Sequence, residues 1–561
     1  MRMQTTTLSH NGRDESVSIP ADVFWLPGVV GVACAIVHLL TSRLWVTPDS
    51  TAYLSLAMGL AENGDFSQAS FQLRLPGYPL LLAGVFRLFG SASATGILIT
   101  QHVMVVVMSM LVAGIFYSLH ASKRWAVVAG LLSATSPYVA GYANAVLTEV
   151  PYGFMLTLTM FFLIRFVRTE NPWLLAGASL AAGCAALIKD VGQYAFVLCT
   201  LVLLAMLCRP LLERLLVHLP GAPSMPARVP HGDSNGRSTS GRRGPMLRLF
   251  AFAIVPGLFV LGPVMALNLY NFGRIKANAN HGLLYYYRAG CLDELDDPAS
   301  AAQQTIRQRV ADARQRGWIP ADATHHDYIP TVMAMERHLG HHGSVFESGR
   351  LAEIGDVLRE AGTDLMKAYP ERIAFSVMRD TYRILMMPDD GYRMQPGGQF
   401  SENRLAPEHE LHAPTTYVAA VRAKPGMQRL NRYLRFGNEP GPLTHAVTPI
   451  LTTHRTWKER ASLPFVVADT PYEGLMLMAG LGWLSLLWMP ASRPIGCLVG
   501  FVVFYHALGS AFMGGVQPRY IIPVHPLVTV LLGAGLAAAW NLAYATYMQS
   551  PLYRPRQALE V

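Results

Sequence analysis

The sequence predicts an all-α, polytopic membrane protein: a bundle of about ten transmembrane helices, with juxtamembrane helices on its outer face and a mostly helical extracytoplasmic insertion. Three observations predict it. Of 561 residues, 52% are hydrophobic and only 14% charged, too little polar surface to coat a soluble fold of this size. Apolar stretches of about 20 residues, the length that crosses a hydrocarbon core, recur toward both ends of the chain. Basic residues gather in alternate connections between those stretches, as the positive-inside rule requires.

The polar tail 1–22 precedes an apolar run, 23–45, that is long and lacks a clear small-residue cleavage site, so it reads as a retained span and not a signal peptide. Further candidate spans are 94–118, 125–144, 150–167, 173–189, 192–208, 248–268, 472–490, 494–513 and 520–546. Lys123 and Arg124 follow the second span, and Arg165 and Arg168 the fourth. The linker 209–247 is rich in Pro, Gly and Ser and carries Arg209, Arg214, Arg228, Arg237, Arg242 and Arg243. These loops, with Arg493 and the tail 547–561 bearing Arg554 and Arg556, mark the cytoplasmic side. Basic loops therefore account for the net charge of +9, and no nucleic-acid partner is expected. The organisation that follows is a transmembrane catalytic module over 23–208 that includes the outer loop 46–93, the linker, a span at 248–268, a loop domain at 269–471, and C-terminal helices over 472–546.

Residues 47–93, 145–149, 269–471 and 514–519 share the outer face. In the loop domain, AAQQTIRQRVADARQRG, VMAMERHLG and VFESGRLAEIGDVLREAG have helical spacing, and DLMKAYPERIAFSVMRDTYRILMMP reads as a helix returning to the membrane surface. Residues 389–462 are rich in Pro, Gly and Arg and show no period. Between spans 173–189 and 192–208 stand only Lys189, Asp190 and Val191. Two charges at a tight turn are most simply a solvated turn; the alternative is that Lys189 faces a site. Five of the six cysteines fall in apolar segments and only Cys291 in the polar loop, so no disulfide framework is expected.

The outer face collects the residues that can carry chemistry. In TPDSTAYLSLAMGLAEN, apolar residues recur at helical spacing, which predicts a short amphipathic helix at the bilayer surface with Asp49 at its start. Asp49 can cap that helix or serve a site. Glu149, in NAVLTEVPYGF, opens the fourth span; it too can be a helix-start residue, yet a carboxylate at a bilayer edge needs a partner, water or a cation. Two acids on one face can share a substrate hydroxyl, a cationic partner or a divalent metal, for which Asp49 and Glu149 are the candidates. The cations of that face are Arg74 in RLPGYP, Arg274 and Lys276 in NFGRIKANANHG, Arg288, and Arg519 in QPRYIIPVHP. An arginine fork suits the phosphate of a membrane lipid; snorkelling at a helix end explains any one of them alone. His325, His326, His338, His341 and His342 invite a metal reading, against which Gly340 and Gly343 argue for a helix end. No Ser-His-Asp signature, Walker loop, dinucleotide fingerprint or HExxH motif is present, so chemistry on ATP is not expected.

As an ordered set, PDSTAY with Asp49, RLPGYPLL with Arg74, TEVP with Glu149 and PRYIIPVHP with Arg519 resemble the GT-C glycosyltransferases. The resemblance is to the branch of protein O-mannosyltransferases and bacterial aminoarabinose transferases that use polyprenyl-phosphate sugars. It covers roughly the first 210 residues and the final span. It implies a GT-C-like bundle in a bacterial inner membrane, with its active site on the extracytoplasmic face. The implied partners are the bilayer, a polyprenyl-phosphate sugar and an acceptor glycan, lipid or protein. Asp49 would be the base in an inverting transfer, Glu149 a second acidic residue, Arg74 and Arg519 phosphate ligands, and Tyr53, Tyr78 and Tyr520 substrate contacts; the loop 269–471 is outside the resemblance, and Arg274 and Lys276 are candidate phosphate ligands by their place on the outer face alone. No cofactor beyond a divalent metal is implied. Protein mannosyltransferases typically have an Asp-Glu pair in the first loop, whereas Ser50 follows Asp49 here; the WWDYG motif of oligosaccharyltransferases is absent. Two other functions compete. A transporter or flippase of an anionic lipid or solute predicts a polar path to the cytoplasm, and the span centres are largely apolar. A non-enzymatic assembly factor predicts that Asp49 is dispensable.

Overall fold

The computed structural model describes residues 18–41, 48–68, 71, 74–90, 93–193, 195–202, 204, 243–274, 285–286, 300–324, 328–342, 350–386, 394–395, 399–400, 472–489, 492–514 and 518–549. Among them the architecture is helical apart from one antiparallel pair, β1 (Met394–Gln395) with β2 (Gln399–Phe400). In chain order the helices of the first half are α1 (Asp22–Thr41), α2 (Pro48–Asn63), α3 (Gly77–Phe89), α4 (Ala94–His120), α5 (Lys123–Ala134), α6 (Pro137–Tyr142), α7 (Glu149–Thr169) and α8 (Pro172–Ile188). A 3-10 turn at Asp190–Gly192 follows α8. Then come α9 (Arg243–Phe272), α10 (Ala301–Gln315), α11 (Tyr328–His338), α12 (Leu351–Ala368), α13 (Pro370–Met386), α14 (Tyr472–Trp488), α15 (Arg493–Gly514), a 3-10 segment Pro518–Val524 and α16 (His525–Gln549).

Among the described residues six segments are long and apolar enough to cross a membrane: Asp22–Leu39, Ala94–His120, Glu149–Thr169, Leu249–Phe272, Arg493–Phe512 and Tyr520–Thr546. The other four expected spans, 125–144, 173–189, 192–208 and 472–490, correspond to shorter helices among the described residues. Span 125–144 is the clearest departure. Its helix stops at Ala134, Ser136 caps a new short helix by accepting a bond from the Val139 amide, and Pro137 occupies the first position of that helix. Proline lacks the N–H that would carry the earlier helix onward. The chain then reaches Glu149 through an irregular stretch, 143–148, every residue of which is buried.

Small residues let these helices approach closely. A Cβ on Gly183 of α8 would stand 3.0 Å from the Gly257 Cα of α9, and the Gly257 amide donates to Ser179 Oγ across the same crossing at 3.0 Å. One core runs through the bundle, from Val112 and Phe116 on α4 through Met160 and Leu163 on α7 to Val530 on α16. A second, smaller core joins α10, α11 and α12 through Ile306, Val310, Val332, Met335, Ile354 and Leu358. Helix α13 belongs to the bundle: Ile373, Val377 and Ile384 enter the main core, while Phe375, Met378 and Tyr382 stay exposed on another face. That two-sided character fits the expected helix at the membrane surface.

Candidate active site at the outer end of the bundle

Helix α2 starts at Pro48, so Asp49 is its second residue and not its cap. Its Oδ1 accepts from Arg74 Nη2 at 2.5 Å. Tyr53, one turn further along α2, lies under the same guanidinium, 5.3 Å from the ring centre. Tyr53 in turn meets Tyr78 edge-on at 5.2 Å. The ion pair is open to solvent, with 32% of the Asp49 and 28% of the Arg74 side chain exposed.

The RLPGYP sequence explains how Arg74 and Tyr78 reach this place. Gly77 begins α3, and a Cβ there would lie 2.6 Å from the carbonyl carbon of Leu187 at the end of α8. Only glycine lets α3 start against the residues that precede Lys189. Tyr78 is fully buried, and its hydroxyl donates to Gln101 Oε1 at 3.2 Å. Burial, with Tyr53 and the Glu149 carboxylate nearby, pushes that hydroxyl well above its ordinary pKa.

A second acid and cation stand deeper. Lys189 Nζ donates to Glu149 Oε1 at 3.3 Å, and Thr148 Oγ1 donates to Oε2 at 3.5 Å. Only 4% of the Glu149 and 16% of the Lys189 side chain is exposed. The ammonium also lies 5.0 Å from the Tyr520 ring centre and 6.0 Å from that of Tyr152. The simpler expectation, that Lys189 belongs to a solvated turn, is therefore corrected: the 3-10 turn holds Lys189 inward against an acid that needs a counter-charge. Tyr520 arrives on the segment Pro518–Val524, which packs on α7 because Gly153 leaves room for the Pro523 backbone, 3.0 Å from where a Cβ would be. His506 on α15 fixes the segment further, its Nε2–H donating to the Tyr520 carbonyl at 2.7 Å.

Asp49, Tyr53, Arg74 and Tyr78 thus form one connected group, and Glu149, Lys189 and Tyr520 another, with Tyr78 electrostatically in reach of Glu149. Arg274 is engaged elsewhere, donating to Asp356 of α12 at 2.7 Å. Lys276, Arg288, His325 and His326 lie outside the described residues, as does the Arg519 side chain, whose backbone is the second residue of the segment carrying Tyr520. Among the described residues no three His, Cys, Asp or Glu side chains gather as a metal site. Asp49 and Glu149 each face a basic side chain, a donor set that does not favour a divalent ion. His338, the last residue of α11, contacts Asp312 at 3.3 Å and the Trp318 ring edge-on, and Gly340 in the turn after it has φ +82.

Two residues of this region carry no motif, Gln101 and His506. Each sits inside an apolar helix, and a polar side chain at such a place is the signal that can find it. His506 and Tyr152 also line an open, apolar cavity of about 110 Å³ with Leu156, Leu198 and Phe501. Val197, Leu201 and Phe501 at this cavity are exposed on the bundle surface.

Residues 74–231 match the model of the dolichyl-phosphate-mannose-protein mannosyltransferase family. That segment begins at Arg74 and includes Tyr78, Gln101, Glu149 and Lys189; Asp49 and Tyr520 lie outside it. No curated protein matches the chain. Among solved structures, the apo oligosaccharyltransferase of Archaeoglobus fulgidus is similar at 11% identity and TM-score 0.42, over 94% of this chain and 51% of that one. ArnT from Cupriavidus metallidurans, bound to undecaprenyl phosphate, is similar at 12% identity and TM-score 0.32, over 94% of this chain and 81% of that one. The chain thus spans about half the length of the oligosaccharyltransferase. Both scores lie below 0.5, so neither likeness locates a site. With its apolar helices the chain is a multi-pass membrane protein, and its residues 74–231 are similar to the dolichyl-phosphate-mannose-protein mannosyltransferase family.

Proposed function

We propose that this protein moves a sugar from a polyprenyl-phosphate donor to a hydroxyl of an extracytoplasmic glycan, lipid or protein, in a bacterial cytoplasmic membrane and with inversion at the anomeric carbon. The observation that carries the proposal is the pairing of Asp49 with Arg74 in a solvent-open ion pair beside an aromatic wall. A pair that solvent reaches in this way contributes only about 0–1 kcal/mol. A lipid phosphate can therefore take the Arg74 fork at small cost, which frees Asp49 to accept a proton. One base and one cation are what a single displacement needs: Asp49 removes the acceptor proton as the acceptor oxygen bonds to the anomeric carbon, and the bond to phosphate breaks with its charge held by Arg74. The family description supports the donor class, since dolichyl phosphate is a polyprenyl-type carrier.

Glu149 and Lys189 have a different part in this proposal. Their pair is buried, so it is expensive to open, and it serves as a fixed electrostatic floor beneath Tyr78 and Tyr520. The apolar cavity by Tyr152 and His506 lies beside that floor and opens among lipid-facing residues, a setting that suits the first isoprene units of the carrier.

The test is transfer by the purified protein in liposomes supplied with a panel of labelled polyprenyl-phosphate sugars and membrane or glycan acceptors. Release of polyprenyl phosphate together with labelled acceptor is expected. Failure of the wild-type protein to consume any donor of the panel, or movement of intact donor across the bilayer in place of its consumption, overturns the proposal.

A further inference from the structure

We infer that Gln101 is a positioning residue for this site: one side chain on α4 clamps the Tyr78 segment and the segment leading to Glu149 at a fixed spacing. Gln101 stands within the apolar sequence ATGILITQHVMVVV and is 1% exposed. An amide at such a place is costly unless every polar atom has a partner. Here each does. Nε2 donates to the Ala143 carbonyl at 3.0 Å and to the Ala145 carbonyl at 2.9 Å, and Oε1 accepts from the Tyr78 hydroxyl at 3.2 Å. These three bonds use both amide protons and one acceptor position, and they set the amide's orientation.

The partners come from segments far apart in sequence, and each leads directly to a site residue. Tyr78 touches Tyr53, the ring under Arg74. Ala143 and Ala145 belong to the irregular stretch that replaces the outer end of the expected span 125–144 and delivers Glu149. Non-helical backbone inside a membrane protein persists only where the protein satisfies its carbonyls. Gln101 satisfies the Ala143 carbonyl and shares the Ala145 carbonyl with the Leu147 amide, which donates to it at 2.9 Å. It is therefore not a substrate contact, and it acts through Tyr78 and Glu149.

The inference rests on the proposed transfer for its catalytic consequence and on geometry for the clamp itself, so the experiment reads both. The variants are Gln101→Met, which keeps the bulk and loses all three bonds, and Gln101→Glu, which keeps an acceptor for Tyr78 and one donor when neutral. Hydrogen–deuterium exchange on the full-length protein in nanodiscs is expected to quicken at least threefold in residues 143–148 of Gln101→Met, and to leave α10–α12 unchanged. Turnover with a donor the wild type consumes is expected to fall at least tenfold in Gln101→Met with donor KM changed less than threefold, and Gln101→Glu is expected to recover part of it. In a Tyr78→Phe background, Gln101→Met should cost a smaller factor than it does alone. Unchanged exchange in residues 143–148 overturns the clamp, whether or not the protein transfers sugar. Quickened exchange with unchanged turnover overturns the positioning role. A wild type that consumes no donor while Gln101→Met still loosens 143–148 defeats the proposed function and leaves the clamp standing. Should Gln101→Met fail to fold, the same comparison is made with Gln101→Glu, for which exchange and turnover both equal to wild type overturn the inference.

Discussion

Replacing Asp49 by Asn separates catalysis from helix architecture, because the two roles predict effects of different size in different assays. Asp49 lies in the first turn of α2, where its charge suits the helix dipole by about 0.3–1 kcal/mol. Its pair with Arg74 is about one-third exposed on each side and adds about 0–1 kcal/mol. Asn keeps the size of the side chain and a carbonyl oxygen for the arginine. The loss of stability is therefore below about 2 kcal/mol, a shift of a few degrees at most in thermal unfolding in detergent. If Asp49 is the proton acceptor, turnover falls about a hundredfold or more, equivalent to about 2.7 kcal/mol of barrier, while donor binding persists through Arg74. The assay is single-donor transfer in liposomes with protein matched for folded amount. Turnover within a few-fold of wild type would refute the catalytic role of Asp49, and Glu149 would become the acid to test.

Lys189→Met removes the ammonium from the buried Glu149 charge and is expected to destabilise the protein by about 3–5 kcal/mol, whereas adding Glu149→Gln to the same chain restores most of the loss; thermal unfolding of the two variants checks this. Arg74→Lys keeps a charge beside Asp49 but gives up the planar fork, so donor KM should rise with little change in unfolding temperature, as steady-state kinetics with varied donor will tell. In the proposed transfer a donor phosphate draws Arg74 away before Asp49 acts, so an acceptor analogue should bind more tightly with polyprenyl phosphate present than without it, and equal affinity in a calorimetric titration goes against that order. For topology, in a chain freed of its native cysteines, Glu62→Cys should react with an impermeant reagent from outside and Glu170→Cys should not, both positions being exposed at helix ends.

Much of this site was legible because polar residues are rare in such a sequence and each carries information. Asp49, Arg74, Tyr78, Glu149 and Tyr520 stand beside Pro or Gly at the ends of apolar runs, where backbone and side chain both have something to say. Lys189 was ambiguous for a physical reason: a charged turn between two spans looks the same in sequence whether it faces water or a partner 40 residues away. Gln101 leaves only the signal of one amide in a long apolar helix, and two of its three partners are backbone carbonyls, which have no sequence signature. Arg274 was grouped with the site by side of the membrane alone, and its pairing with Asp356 depends on how α12 folds back, which periodicity cannot give. The break in span 125–144 was available from Ser136-Pro137, a capping pair inside an apolar stretch, yet hydropathy averaged across it.

What divides the labour between the two acids is water. Both Asp49 and Glu149 open helices, and both face a cation, so sequence and dipole arguments treat them alike. Their exposure does not. An ion pair that solvent reaches exchanges partners at a cost of about 1 kcal/mol, and a pair that solvent does not reach holds against exchange by several times that. In the proposed transfer the open pair is the one that a substrate enters, trading the guanidinium from carboxylate to phosphate and leaving the carboxylate basic at the moment an acceptor hydroxyl arrives. The closed pair cannot make that trade, because Glu149 would be left charged among Tyr78, Thr148 and the bundle core. Lys189 can still turn its field outward, since its ammonium lies over the Tyr520 ring and not wholly within the carboxylate's reach. In the proposed transfer a donor phosphate thus takes the movable cation, Arg74, while Lys189 stays with Glu149, which lets a leaving group be held without tying up the base.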